Sequence, residues 1–205
     1  MKKIKILISF LFLFFIPSIS YSLIEVDISR GNLNPLPISV SPLFADKTSS
    51  NLLKNDLKIE DLGIKIADVV ENNLKQTGLF NPLSRKAFLQ KPDIAHLKPR
   101  FEDWALIKSQ ALITGKISYK NEKLKVEFRL WDVLAGREML ALAFTTVPNN
   151  WRRVGHIISD KIYERLTGEK GYFDTRVIYV AEEGPKTKRI KKLAIMDQDG
   201  FNTKY

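Results

Sequence analysis

Two segments of this chain carry apolar residues every three or four positions, and both place the same demand on the fold. Ile59, Leu62, Ile66, Val69, Val70 and Leu74 recur in the first; Trp151, Val154, Ile158, Ile162 and Leu166 recur in the second. That spacing gathers the apolar side chains on one face of a helix. The first segment reads as a helix over 59–74 closed by Gly78, and the second as a helix over 151–166 ended by Thr167 and Gly168. A one-sided helix needs another apolar layer to cover, so the chain must supply a sheet for both stripes.

Three runs, 111–119, 124–133 and 138–147, have strand composition. In the middle one Leu124, Val126, Phe128 and Leu130 alternate with Lys125, Glu127 and Arg129, the period of a strand with one wet face. Asn121-Glu122 and Ala135-Gly136 separate the runs as hairpin turns would, giving a meander. Ile38-Ser39-Val40 reads as a short strand entering the core, 45–55 as a loop, and 101–108 as a turn or two of helix with Trp104 inward. Residues 80–100 hold three prolines and no period, which predicts a loop with a short helix near 85–89. The fold class is α/β: a mixed β-sheet packed by two long helices. Past Gly171 the pattern changes to two strands, 175–181 and 190–196, whose open edges invite further pairing.

The N-terminus has the order of a secretion signal: Lys2, Lys3 and Lys5, an apolar run from Ile6 to Ile16, Pro17, then small residues up to Ser22. The run is about half of the roughly 20 residues that a membrane-spanning helix needs. Cleavage fits after Ser22 or after Ser20; the site between Ser22 and Leu23 is favoured and would start the processed chain at Leu23-Ile24-Glu25-Val26. There is no cysteine, so the fold must hold by packing alone. Without the signal, 30 basic residues face 23 acidic ones. The lysines are scattered without interleaved aromatics, which argues against nucleic acid and leaves anionic envelope surfaces or a solvated basic face.

No reactive constellation stands out. His96 lies in a proline-flanked loop and His156 within the second helix, as a surface or partly packed residue; neither has a nucleophile or ligand pattern around it. Thr114-Gly115-Lys116 lacks the earlier glycine of a phosphate loop. Asp197-Gln198-Asp199-Gly200 is too short for a calcium loop and reads as a turn closing a strand, and the basic stretch 186–192 as a solvated link. The residues imply no catalytic group, no metal and no cofactor; an exported envelope hydrolase and an anionic-surface-binding module are the alternatives.

Three stretches together resemble the TolB family of the Tol-Pal envelope system: TGLFNPLSR at 77–85, RRVGHIISDKIYERLTGEKGYFDTRVIYV at 152–180, and LAIMDQDGFN at 193–202. The resemblance implies a periplasmic adaptor, not an enzyme, linking inner and outer membrane components and supporting outer-membrane invagination in division. It divides the chain into a signal peptide (1–22), an extended peptide (23–34), an α/β domain (35–170) and the start of a β-propeller blade (171–205). It also implies that Leu23, Ile24, Glu25, Val26, Asp27, Ile28 and Ser29 are offered to the inner-membrane protein TolA, and that a full propeller meets the lipoprotein Pal. The protein would be peripheral to the membrane. Ending within the first blade, the chain is a fragment or the product of a shortened gene on this reading.

Overall fold

In the computed structural model, which describes Ile24, residues 34–46 and residues 58–205, the layer required by the two stripes is a mixed sheet. Its strands are β1 (Leu36–Val40), β2 (Phe44–Ala45), β3 (Phe80–Pro82), β4 (Ala111–Lys120), β5 (Lys123–Asp132) and β6 (Arg137–Thr146). The order is β3-β1-β4-β5-β6, with β2 also on β4. β1 runs parallel to β3 and β4, and β2 parallel to β4, while β4, β5 and β6 form the expected antiparallel meander. Residues 36–46 thus follow β4 as one interrupted strand, with the Ser41 N–H donating to the Ile113 carbonyl and the Asp46 N–H to the Ile117 carbonyl, each at 2.9 Å.

Helices α1 (Ile59–Gln76), α2 (Pro92–Ala95), α3 (Phe101–Leu106) and α4 (Trp151–Thr167) complete this layer. The two long helices end in the positive-φ glycines expected of them, Gly78 and Gly168. Glu60 and Asp61 occupy the first turn of α1, the favourable sign for the positive end of a helix dipole. Both stripes cover the same sheet face: Leu62, Ile66, Val70 and Leu74 from α1 join Val154, Ile158, Ile162 and Leu166 from α4 over Ile113, Ile117, Val126 and Phe128. Trp151 is only half-buried, at the margin of this core.

The opposite face is closed over part of its area. Trp104 of α3 and Ala95 of α2 are buried with Leu112 and Val133, so the inward tryptophan was legible in the sequence. Gln90 organises this cover: its Oε1 accepts from Trp104 Nε1 and from the Arg100 N–H, both at 3.0 Å. The stretch read as loop with a helix near 85–89 holds more than that: β3, a 3-10 turn at Arg85–Ala87, and α2. β3 escapes a periodicity reading because it has three residues and two of them, Asn81 and Pro82, are poor strand formers. Its register with β1, Leu36 opposite Phe80, places Pro82 on a sheet edge where a missing N–H is tolerated.

Beyond α4 the chain forms a separate antiparallel pair, β7 (Arg176–Glu183) and β8 (Ile190–Asp197), with Val177 opposite Met196 and Tyr179 opposite Ala194. Among the described residues its only further pairing is a bridge between Ile195 and Lys204. The expected signal peptide, Ser22, Leu23 and Glu25 to Ser29 lie outside the described residues, as does most of the loop expected over 45–55.

One close approach sets how α1 meets the chain before it. A Cβ on Gly63 would lie 2.3 Å from the Leu43 carbonyl oxygen, and the Leu43 N–H already donates to the Gly63 carbonyl at 3.2 Å. Gly63→Ala is therefore expected to lower stability by about 1–3 kcal/mol, because backbone must move to admit the methyl group. Urea unfolding of the two chains measures this, and an unchanged midpoint would show that α1 does not need this contact.

Candidate partner-binding site

β6 is an edge strand: among the described residues it pairs with β5 and with nothing on its other side. Its Leu140 and Leu142 face the helix layer, half-buried against the core. They form one wall of a cavity of about 660 Å³; the other is the last part of α4, Lys161, Glu164 and Arg165, with Gly168 after it. Ile24 sits in this cleft, half-buried and packed against the core cluster. The Arg165 Nε donates to the Met139 carbonyl at 3.3 Å, holding the end of α4 to the irregular start of β6, where the β5 register shifts between Leu130 and Trp131. Of the seven residues expected to form the partner-binding peptide, Ile24 alone is described, and it lies where an extended segment meets both an open backbone edge and apolar side chains.

A second site, missed by sequence reasoning, lies at the other end of α4. His156, read from the sequence as a surface or partly packed residue, is fully packed at 2% exposure, because its position on α4 faces α1. Asn73 of α1 reaches it. The Asn73 side-chain amide donates to His156 Nδ1 at 2.9 Å and to Ser159 Oγ at 3.0 Å, while Asn73 Oδ1 accepts from Gln198 Nε2 at 3.2 Å. Ser159 Oγ in turn donates to the Gly155 carbonyl at 2.9 Å. An imidazole that accepts at Nδ1 carries its proton on Nε2. That N–H points toward Asp199 Oδ2 at 3.7 Å and has no hydrogen-bond partner.

The turn after β8 therefore does more than close a strand. Asp199 pairs with the Arg152 guanidinium, whose Nε also lies 3.9 Å from Asp197. Arg153 forks onto Asp174 with three contacts of 3.0–3.1 Å. The first turn of α4 has no acidic residue and no side-chain cap, so these arginines carry the wrong sign for a helix start. The carboxylates that offset them come from outside the helix. Asp160, one face further along, accepts from the N–H groups of Phe173 and Asp174 at 2.6 and 3.1 Å, and a Cβ on Gly171 would lie 2.4 Å from its Cα. Burial raises the Asp160 carboxyl above its ordinary range despite these donors.

His156, Asp197 and Asp199 offer ligand atoms within 4.8 Å of one another. Both carboxylates are already engaged, Asp199 by Arg152 and Asp197 by the Asn202 side-chain amide at 2.5 Å and by the Arg176 Nε at 3.9 Å, so the two arginines offset the two carboxylates in a polar clasp. The other sequence candidates stay apart from it. His96 stacks on Phe44 with ring centroids 4.5 Å apart, and Thr114-Gly115-Lys116 lies inside β4 with Lys116 paired to Asp46 at 2.7 Å.

The chain thus combines an α/β domain, whose β6 edge has no second partner strand among the described residues, with a following β-hairpin joined to it by a polar clasp. Comparison with known proteins gives the family. A model of the TolB amino-terminal domain matches residues 24–139, and the chain belongs to that family. It is 73% identical over 201 residues to the Tol-Pal system protein TolB of Pelagibacter ubique (strain HTCC1062), an alignment covering 97% of this chain and 45% of that protein. The chain thus spans less than half the length of this relative. The crystal structure of TolB from Acinetobacter baumannii shares the fold, with a TM-score of 0.67 at 23% identity over 83% of this chain and 38% of that one.

The clasp makes stability depend on pH. Burial holds the His156 imidazole below its ordinary pKa of 6.5; Arg152 adds to this, while Asp199, Asp197 and Asp174 oppose it. The unfolded chain then takes up a proton before the folded one does, so His156's contribution is present above about pH 6.5 and is lost as pH falls through its lowered value. Urea midpoints measured from pH 7.5 to 5 should fall less steeply for His156→Gln than for the parent chain. Parallel pH profiles would show that His156 titrates alike in both states.

Proposed function

We propose that this chain is a periplasmic adaptor of the Tol-Pal system, and that Leu23 to Ser29 form the peptide it offers to a TolA-like inner-membrane protein. The observation that carries this reading is Ile24 in the cleft between the β6 edge and α4, in a chain closely similar to a Tol-Pal system protein. An extended peptide beside an unpaired strand supplies backbone hydrogen bonds, and alternate side chains supply specificity. Glu25 and Asp27 would stand on one side of such a peptide and Ile24, Val26 and Ile28 on the other.

Docked on its own domain, the peptide is withheld; released, it is free for the partner. The two forms constitute one equilibrium, and the partner gains only the fraction that is free. The β7–β8 pair is read as the beginning of a β-propeller, the part that serves a Pal-like lipoprotein in longer family members. The reading is of binding, without a catalytic step, a metal or a cofactor. The same adaptor role implies support of outer-membrane invagination and envelope integrity. Among the described residues no helix is long and apolar enough to cross a membrane, and the signal-like head of the chain accounts for its placement outside the cytoplasm.

Titrating a purified TolA-like periplasmic domain into the chain tests the peptide. Deleting residues 23–29 should abolish the binding heat while the thermal unfolding transition persists; undiminished affinity would overturn the assignment. Ile24→Asp should weaken docking on the cleft, and wild-type protection of the β6 amides would show that Ile24 does not sit there in solution. Mass analysis of the exported chain should give Leu23 as its first residue, and retention of Lys2 to Ser22 would contradict the export reading.

A further inference from the structure

The short layer on the far face of the sheet is apolar on both of its sides. Inward, Phe88, Ala95, Trp104 and Ile107 pack on Leu112, Val133 and Trp131. Outward, Leu89, Ile94, Leu97 and Leu106 are 59, 50, 71 and 74% exposed, and Leu134 in the β5–β6 turn is 69% exposed. A segment that only covers a core presents polar residues to water.

These side chains share the far face of the sheet, Leu97 beside Gly115, Lys116, Glu127 and Arg129 at its middle, and α3 and Leu134 nearer the β5–β6 turn. Gln90 ties Lys98, Arg100 and Trp104 together, and the ring of Phe88 lies 4.9 Å from that of Trp104. A Cβ on Gly136 would come within 3.6 Å of the Phe101 ring, which sets the β5–β6 turn against α3. The hairpin β7–β8 is remote from the β5–β6 turn, since it docks on the first turn of α4 and α4 starts where β6 finishes.

The charge around these leucines is positive. Of the six basic residues between positions 85 and 108, Arg85 is paired with Asp68 and Glu71 of α1 and Arg100 with Asp103, which leaves four lysines against Asp93 and Glu102. Lys86, Lys91, Lys98 and Lys108 are exposed, and no described carboxylate pairs with any of them. Residue type then separates the possible partners. Protein interfaces are depleted in lysine, and leucine is under-represented among their anchoring residues. Leucines protruding within a set of lysines match a surface that rests on an anionic bilayer, apolar tips in the acyl boundary and ammonium groups at the phosphates.

We propose that the far face of the sheet, covered by α2, α3 and the β5–β6 turn, binds anionic phospholipid, with Leu97 and Leu106 entering the interface and Lys86, Lys91, Lys98 and Lys108 meeting the headgroups. The contact is peripheral and separate from the Ile24 cleft, so it stands or falls apart from the peptide's role. It leaves the hairpin, which docks where β6 finishes, unblocked.

Sedimentation of the chain, purified after export, with vesicles of phosphatidylcholine alone or mixed equally with phosphatidylglycerol tests it. Binding should require the anionic lipid and weaken with added salt. Each Lys→Gln change at these four positions should lower partitioning about five-fold. The Leu97→Ser, Leu106→Ser double variant should lower it about ten-fold or more. Thermal unfolding should not change, since the replaced side chains are exposed. Sedimentation that ignores headgroup charge, or that is the same in the variants, overturns the proposal. Absence of vesicle binding, with the same variants losing a complex with a purified envelope protein, assigns this face to protein docking and overturns it equally. Affinity for the TolA-like domain should be unaltered throughout.

Discussion

Where α1 and α4 lie side by side on the sheet, apolar packing alone would leave their relative position loosely defined. Gly155 brings the helices close enough that a Cβ there would lie 2.9 Å from Val69 Cγ1. Asn73 then spans the seam to His156 and Ser159, at distances that no shifted pairing of the helices would preserve. Apolar contacts are non-directional, whereas a buried amide loses its hydrogen bonds if its neighbours move. The stripes provide the driving force, and this one polar link fixes the register. Because α4 also carries the cleft wall and the clasp, both surfaces inherit their positions from that seam.

The α/β framework could be read before any coordinates because its signals are local and repetitive. The alternation of Leu124, Val126, Phe128 and Leu130 and the stripe on α4 each repeat several times within one element. β3 could not be read in this way, since its three residues become a strand only through pairing with β1. The clasp was hidden for a related reason. Asn73 and Gln198 are 125 positions apart, and nothing in the sequence near either announces the other. One signal was available: Asn73 and His156 are polar residues set beside apolar stripes, where a buried partner is needed. Of the expected peptide the structure describes Ile24 alone.

The two ends of α4 have different chemistry. Its last turns offer an apolar cleft rimmed by the ion pair of Lys161 and Glu164, where Ile24 sits. Its first turns are locked by Arg152 and Arg153 to carboxylates of the following unit. A rigid helix between an exchangeable contact and a fixed one is a means of holding the hairpin in a constant relation to the sheet edge.

The reversed charges at the start of α4 also bear on the order in which the molecule is completed. A chain made from its N-terminus exposes Arg152 and Arg153 well before Asp174, Asp197 and Asp199. Until those residues arrive, the helix begins with two like charges at the end of its dipole that repels them. The start of α4 therefore reaches its full hold only once the turn after β8 is in place. Without that turn the first residues of α4 would keep two uncompensated like charges and fray.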